Sequence, residues 1–193
     1  GGSPAAAGGG SWLRRSPPSH ADRLNLDSLA VHPRPPETIY AGTWHLAWKT
    51  TDAGRSWRSI KAGMIDDSDV MTLTLDSRNP DQVFATACSG IYRSANAAAL
   101  WSKVRGIPSS SRRTRAFAQD PAQPTTFYAG TTEGLFVSED DGRTWERRTA
   151  PTTVVNAVVP LPGGVVLLGT DGTGVLRSLD SGHTFASANE GFF

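Results

Sequence analysis

The sequence has a single cysteine, Cys88, which excludes an internal disulfide and any cysteine-built metal site and leaves the redox compartment open. It has no long hydrophobic run. The most apolar stretch, VVNAVVPLPGGVVLLG, is broken by Pro160, Pro162, Gly163 and Gly164 and falls short of the roughly 20 residues a membrane-spanning helix needs, so no membrane insertion is expected. Charge of one sign is lacking too: Lys+Arg 19 against Asp+Glu 18 leaves a formal +1, which gives no global reason to expect a nucleic acid or an anionic surface as partner. There is no initiating methionine, and the opening GGSPAAAGGG lacks the apolar segment of a signal peptide, so the natural protein is expected to start further upstream. What remains is a chain of 193 residues, 38% hydrophobic, with Gly 20 and Pro 13: enough to bury a modest core and rich in turns.

One frame recurs. TTDAGRSW (50–57), SEDDGRTW (138–145) and SLDSGHTF (178–185) share it, and SANAAALW (94–101) is a decayed copy. Their terminal aromatics Trp57, Trp101, Trp145 and Phe185 follow one another at steps of 44, 44 and 40 residues. A further 45 residues upstream of Trp57 lies Trp12, preceded by Gly9 and Ser11. A second landmark keeps the same step: IYAGT (39–43), VFATA (83–87), FYAGT (127–131) and VLLGT (166–170). The repeats are therefore read as 13–57, 58–101, 102–145 and 146–185, with 1–12 the tail of a preceding copy, all within one domain spanning 1–193.

Within each repeat four short extended runs can be read. Strand a is SLAVHP, MTLTLD, RAFAQD or NAVVPL; strand b is the IYAGT-type run; strand c is LFVS or GVLRS; strand d starts at the repeat aromatic, as in WRSI and WERRT. Prolines and glycines recur too often for an apolar helical stripe. Four strands per repeat of about 40–45 residues indicate an all-β fold, a β-propeller of four-stranded antiparallel blades. Here the sequence supplies about four blades of a larger, six- to eight-bladed ring.

The pattern Ser/Thr-x-Asp-x-Gly-x-Ser/Thr-Trp/Phe, complete in three copies, resembles the Asp-box, or bacterial neuraminidase repeat. The resemblance covers nearly the whole chain and implies a propeller like those of sialidases, sortilin-type ectodomains, xyloglucanases and photosystem II assembly factors, with an extracytoplasmic location. The copy at 94–101 has Asn96 for the aspartate and Ala98 for the glycine, so a looser or differently built turn is expected there.

The box residues are expected to be scaffold. The c–d hairpin must turn sharply, and Gly54, Gly142 and Gly182 accept a positive φ. Asp52, Asp140 and Asp180 can accept backbone N–H groups inside the turn, assisted by Ser56, Thr144 and Thr184. Trp57, Trp101, Trp145 and Phe185 are expected to wedge between neighbouring sheets. A catalytic group would not recur in every blade. The pair Asp140-Asp141 lacks the spacing of a calcium loop, and no metal or cofactor is called for.

Because strands alternate in direction, a–b turns and Asp-boxes share one end of each blade, whereas b–c and d–a loops share the other. That second end is the candidate binding face. It carries Trp44, His45 and Glu133 from b–c loops, and Asp66, Asp67, Asp69, Arg112, Arg113 and Arg115 from d–a loops. An exposed aromatic beside charges of both signs suits docking of a protein or carbohydrate, so the function expected is that of a non-catalytic scaffold, whose partners also include further blades of its own full-length chain. An alternative is a fragment of a xyloglucanase- or sialidase-like glycoside hydrolase whose catalytic residues lie mostly outside this chain. Against a sialidase, Tyr40, Tyr92 and Tyr128 all fall within strands and are not free to act as nucleophiles. Four blades alone would leave two open inter-blade faces, which predicts marginal stability or self-association.

Overall fold

The computed structural model describes residues 25–65, 69–111 and 113–192; the expected repeat tail at 1–12 with Trp12, and Asp66, Asp67 and Arg112 of the loop face, lie outside the described residues. The first sheet comprises β1 (Leu26–Val31), β2 (Ile39–Thr43), β3 (Ala47–Thr50) and β4 (Arg58–Ser59). The second holds β5 (Val70–Leu75), β6 (Val83–Ala87), β7 (Gly90–Ser94) and β8 (Ser102–Lys103). The third holds β9 (Thr114–Gln119), β10 (Phe127–Thr131), β11 (Gly134–Ser138) and β12 (Glu146–Arg147). The fourth holds β13 (Val155–Leu161), β14 (Val165–Thr170), β15 (Val175–Ser178) and β16 (Ala186–Ser187). Within each sheet the strands pair antiparallel in chain order, so every sheet is an up-and-down meander. Among the described residues the only helical element is one 3₁₀ turn, Ser109–Ser111. The protein is all-β, with four antiparallel four-stranded blades of a β-propeller.

The a strands β1, β5, β9 and β13 contact one another from blade to blade and so gather towards the axis. The d strands are only two residues long and begin one residue after the repeat aromatic. Each of the first three blades stacks its rear face on the front face of the next. Between the first and second blades, Tyr40, Ala47 and Ile60 meet Leu73, Val83, Ala85, Tyr92 and Trp101. Between the second and third, Phe84 and Ile91 meet Phe117, Phe127, Phe136 and Trp145, and the Phe84, Phe117 and Phe127 rings stack at centroid separations of 4.7–5.5 Å. Between the third and fourth, Tyr128, Leu135 and Val137 meet Val166, Leu168, Leu176 and Phe185. Alternation along each strand produces this: odd and even side chains leave opposite faces, and both faces are apolar because both are covered.

The c–d hairpin turns have one geometry in all four blades. Two consecutive residues sit at positive φ: Ala53 and Gly54, Ala97 and Ala98, Asp141 and Gly142, Ser181 and Gly182. In the third blade the Asp140 carboxylate accepts the Thr144 N–H (2.9 Å) and the hydroxyls of Thr144 (2.6 Å) and Ser138 (2.8 Å). Asp52 and Asp180 repeat these contacts. These hydrogen bonds hold the Asp52 and Asp140 carboxyls at about 2, with the Ser56 and Thr144 hydroxyls the largest cause, and Asp180 lower still, led by Ser178. The decayed copy does not loosen, contrary to the sequence expectation. Asn96 Oδ1 still accepts the Ser94 hydroxyl and the Leu100 N–H at 2.8 and 3.0 Å, and Ala98 adopts φ 65° while fully buried. One acceptor oxygen suffices for the backbone; the second serves only the hydroxyl, which Leu100 lacks.

Two hydrogen bonds tie the turns into the blades. In each blade the first positive-φ residue donates its N–H to the a–b turn: Ala53 to Glu37 O, Ala97 to Asp81 O, Asp141 to Thr125 O and Ser181 to Gly164 O, at 2.8–3.0 Å. The carbonyl of that same residue accepts from the preceding blade. Lys49 Nζ donates to Ala97 O (2.9 Å), Arg93 to Asp141 O (3.4 Å) and the Tyr128 hydroxyl to Ser181 O (3.2 Å). Lys49 and Arg93 occupy the same place in strand c.

Candidate functional site

The two ends of the arc differ as the strand directions require. At the loop end, b–c loops are bonded to the chain leading into strand a of the same blade: the N–H of Trp44 donates to Asn25 O, that of Thr132 to Arg113 O and that of Asp171 to Val154 O. The b–c loops of the first, third and fourth blades are pinned by a threonine closing its strand b. The Thr43 hydroxyl donates to the carbonyls of His45 and Leu46 and accepts the His45 N–H. Thr131 and Thr170 make the equivalent bond to Gly134 O and Gly174 O at 2.8 and 2.6 Å. On this locked turn, with Leu46 at φ 67°, Trp44 is 60% exposed and His45 beside it is exposed as well. A large apolar side chain held out on a rigid turn has already lost the backbone freedom that binding would otherwise remove.

The charged residues of this end are individually engaged. Asp69 accepts the Cys88 thiol at 3.4 Å; burial first, then this bond, pushes the thiol up from its ordinary range, so Cys88 is not a reactive thiolate. Glu133 Oε2 accepts the hydroxyl of buried Ser111 at 2.7 Å, and the hydroxyls of Ser111 and Ser110 hold its carboxyl below the usual range. Arg113 is exposed and lies near enough to Cys88 to act on it electrostatically. Arg115 donates to Asn156 Oδ1 at 2.6 Å. Both residues sit at a register shift near the start of strand a, where a bulge turns the side chain aside from the ladder; the same shift recurs at Asp27 and Met71. Among the described residues no ion pair links Asp69 to Arg113 or Arg115, and Arg115 pairs with Asn156 instead.

The sequence reading missed three things here: Ser111 as the anchor of Glu133, the bulges that aim Arg115 and Asn156, and the polar cluster at the opposite end. That end is more than turns. Asp76 is buried and accepts from Arg78, Gln82 and Gln119, while Arg78 also pairs with Asp141 of the third blade's Asp-box. Burial alone would raise the Asp76 carboxyl, but the Arg78 and Gln119 bonds outweigh it and hold it below the ordinary value. The cluster stitches two blades together.

Tyr40, Tyr92 and Tyr128 are buried. Burial is the largest cause raising the Tyr40 and Tyr128 phenols, Tyr40 to about 12. Among the described residues no group of three His, Cys, Asp or Glu side chains converges closely enough to hold a metal, and no helix is long and apolar enough to cross a membrane.

No family model and no curated protein matches the chain. Solved structures do. An ancestral GH74 enzyme superposes with a TM-score of 0.70 at 18% identity over 84% of this chain. The extracellular domain of a one component system from B. thetaiotaomicron gives 0.71 at 14% identity over 89%, and YCF48 from Cyanidioschyzon merolae gives 0.62 at 14% over 87%. The chain spans 24%, 23% and 57% of the length of these three proteins. At such identities the likeness is one of fold, and the fold is the β-propeller.

Proposed function

We propose that this chain is an Asp-box segment of a larger, extracytoplasmic propeller, and that it works as a non-catalytic scaffold docking a protein or carbohydrate on its loop face. The observation that carries the reading is Trp44, 60% exposed on a turn locked by Thr43. His45 from the same turn, then Asp69, Glu133, Arg113 and Arg115 from its neighbours, give the polar surround that an aromatic anchor needs. Arg112, Asp66 and Asp67, assigned to this face by the sequence pattern alone, lie outside the described residues. The structural neighbours support a binding role: one is an extracellular domain, and YCF48 has been solved bound to a D1 peptide. The GH74 likeness keeps the hydrolase fragment as the competing reading; of the acids expected on this face, Asp69 and Glu133 are each engaged in hydrogen bonds.

The test is binding of the immobilised protein to xyloglucan oligosaccharides and, separately, to a synthetic acidic peptide. One of the two is expected to bind, with Trp44→Ala weakening it about tenfold or more and Arg113→Ala about threefold, the latter effect vanishing at high salt. Cleavage of the oligosaccharides would favour the hydrolase. Binding that survives Trp44→Ala would remove the anchor from the argument.

A further inference from the structure

Each internal junction joins one rear face to one front face, and among the described residues two faces are left over: the front of the first blade and the rear of the fourth. The first is a junction half. It forms an apolar groove of ≈ 230 Å³ lined by Leu26, Ala41, Thr43, Trp48 and Trp57. By strand register their counterparts in the second blade are Val70, Ala85, Ala87, Tyr92 and Trp101, and every one of those belongs to the core against the first blade. Leu29 on the same face is 63% exposed, whereas its counterpart Leu73 is buried. The second leftover face is the complementary half. Leu167 and Val175 stand where Tyr40 and Ala47 stand on the rear of the first blade, and Val159, 48% exposed, stands where Ala30 packs against the core. Arg177, exposed on strand c, occupies the place of Lys49 and Arg93. Those two cations each donate to the first positive-φ carbonyl of the following Asp-box; Arg177 is the same donor facing outward, and Ala53 is the residue whose carbonyl holds the corresponding place in the first blade.

We propose that these two faces take each other between copies: a second copy docks head to tail, the fourth blade's Val159, Leu167 and Val175 covering Leu29, Trp48 and Trp57 of its partner, with Arg177 donating to the Ala53 carbonyl. Two arcs of four sheets supply the blade number at the top of the usual propeller range, and a front-to-rear contact is heterologous, so it closes only if the rotation permits. The inference is independent of the loop-face reading.

The test uses the 193-residue chain in sedimentation velocity with two single variants, Leu29→Asp on the front and Val159→Asp on the rear. Both positions are about half or more exposed in one copy, so both variants should keep the parent's circular dichroism and, at a concentration where the parent is monomeric, its melting point. The parent is expected to associate, each variant alone to be monomeric, and an equimolar mixture of the two to recover a dimer, because each contributes the face the other has lost. Arg177→Ala should raise the dissociation constant about tenfold without abolishing association. A monomeric parent at 100 micromolar would overturn the proposal, leaving these faces to further blades of a longer polypeptide. So would association that survives either variant, which for Val159→Asp is the result expected of a front-to-front contact, or a mixture that stays monomeric.

Discussion

Trp101 and Trp57 hold the same place in adjacent blades, yet only Trp101 is covered: it is 2% exposed against 40% for Trp57. Trp101 packs in the first junction's core, and its Nε1–H donates to Ile60 O at 2.7 Å. Replacing Trp101 by alanine removes a buried indole, leaves a cavity and orphans the Ile60 carbonyl. Transfer and cavity together cost about 3–5 kcal/mol, and the unpaired carbonyl about 1 more. For a chain of this size each kcal/mol moves the midpoint by about 2–4 °C, so Trp101→Ala should lower Tm by roughly 10–15 °C. Trp57→Ala leaves no cavity, because its outer side is open, and loses part of one side chain's burial, about 1–2 kcal/mol, or roughly 3–6 °C. Trp101→Phe, which keeps the bulk and loses the donor, should fall between them. The assay is thermal unfolding followed by far-UV circular dichroism at a concentration where the chain is monomeric. Equal losses for Trp57→Ala and Trp101→Ala would refute the reasoning, since they would mean that the groove around Trp57 is as well covered as the junction.

Three further outcomes follow from hydrogen bonds already described. The Asp52 and Asp140 carboxyls titrate near 2 in the folded chain against an ordinary 3.8, so their stabilisation is complete above about pH 4 and is lost as pH falls from there towards 2; Asp140→Asn should flatten the fall in Tm over that window, and an unchanged slope would count against the Asp-box as its source. Tyr128→Phe removes a hydroxyl that donates to Asp120 and Ser181 and should cost about 1–2 kcal/mol, whereas Tyr40→Phe removes a buried hydroxyl with no hydrogen-bond partner and should be neutral or stabilising in urea titration. Arg78→Ala strips a half-exposed cation from the buried Asp76 and should cost about 1–2 kcal/mol after allowance for its exposure; a melting point like the parent's would show that Gln82 and Gln119 satisfy Asp76 without it.

The fold was legible because the repeat is read twice, once in the TTDAGRSW-type turns and once in the IYAGT-type strands. Two independent landmarks in one register leave little freedom for the strands between them. Turn detail was less legible. Only the second positive-φ residue is marked by glycine; the first is Ala53, Ala97, Asp141 or Ser181, residues with no shared tendency towards that conformation, held there by hydrogen bonds to the a–b turn. The same bonds explain why Asn96 and Ala98 keep the turn closed. At the loop face, strand direction assigns the described candidates to one end but says nothing about engagement. Glu133 is held by Ser111 and Arg115 by Asn156, pairings between separate loops or blades that no local pattern signals. Arg78 looks like an ordinary turn residue until the third blade's Asp141 is set beside it.

The carbonyl at the first positive-φ position gives the arc a joint whose receiving half carries no sequence requirement. Ala97, Asp141 and Ser181 all present it, because it belongs to the backbone, and a lysine, an arginine and a tyrosine all fit it as donors. A blade can therefore be copied, deleted or shuffled and still find a seat, so long as its own hairpin turns and its neighbour offers any long donor. Such a joint tolerates wide drift in the side chains around it. Gene duplication can then lengthen or shorten the array one blade at a time, without a matching change elsewhere in the chain.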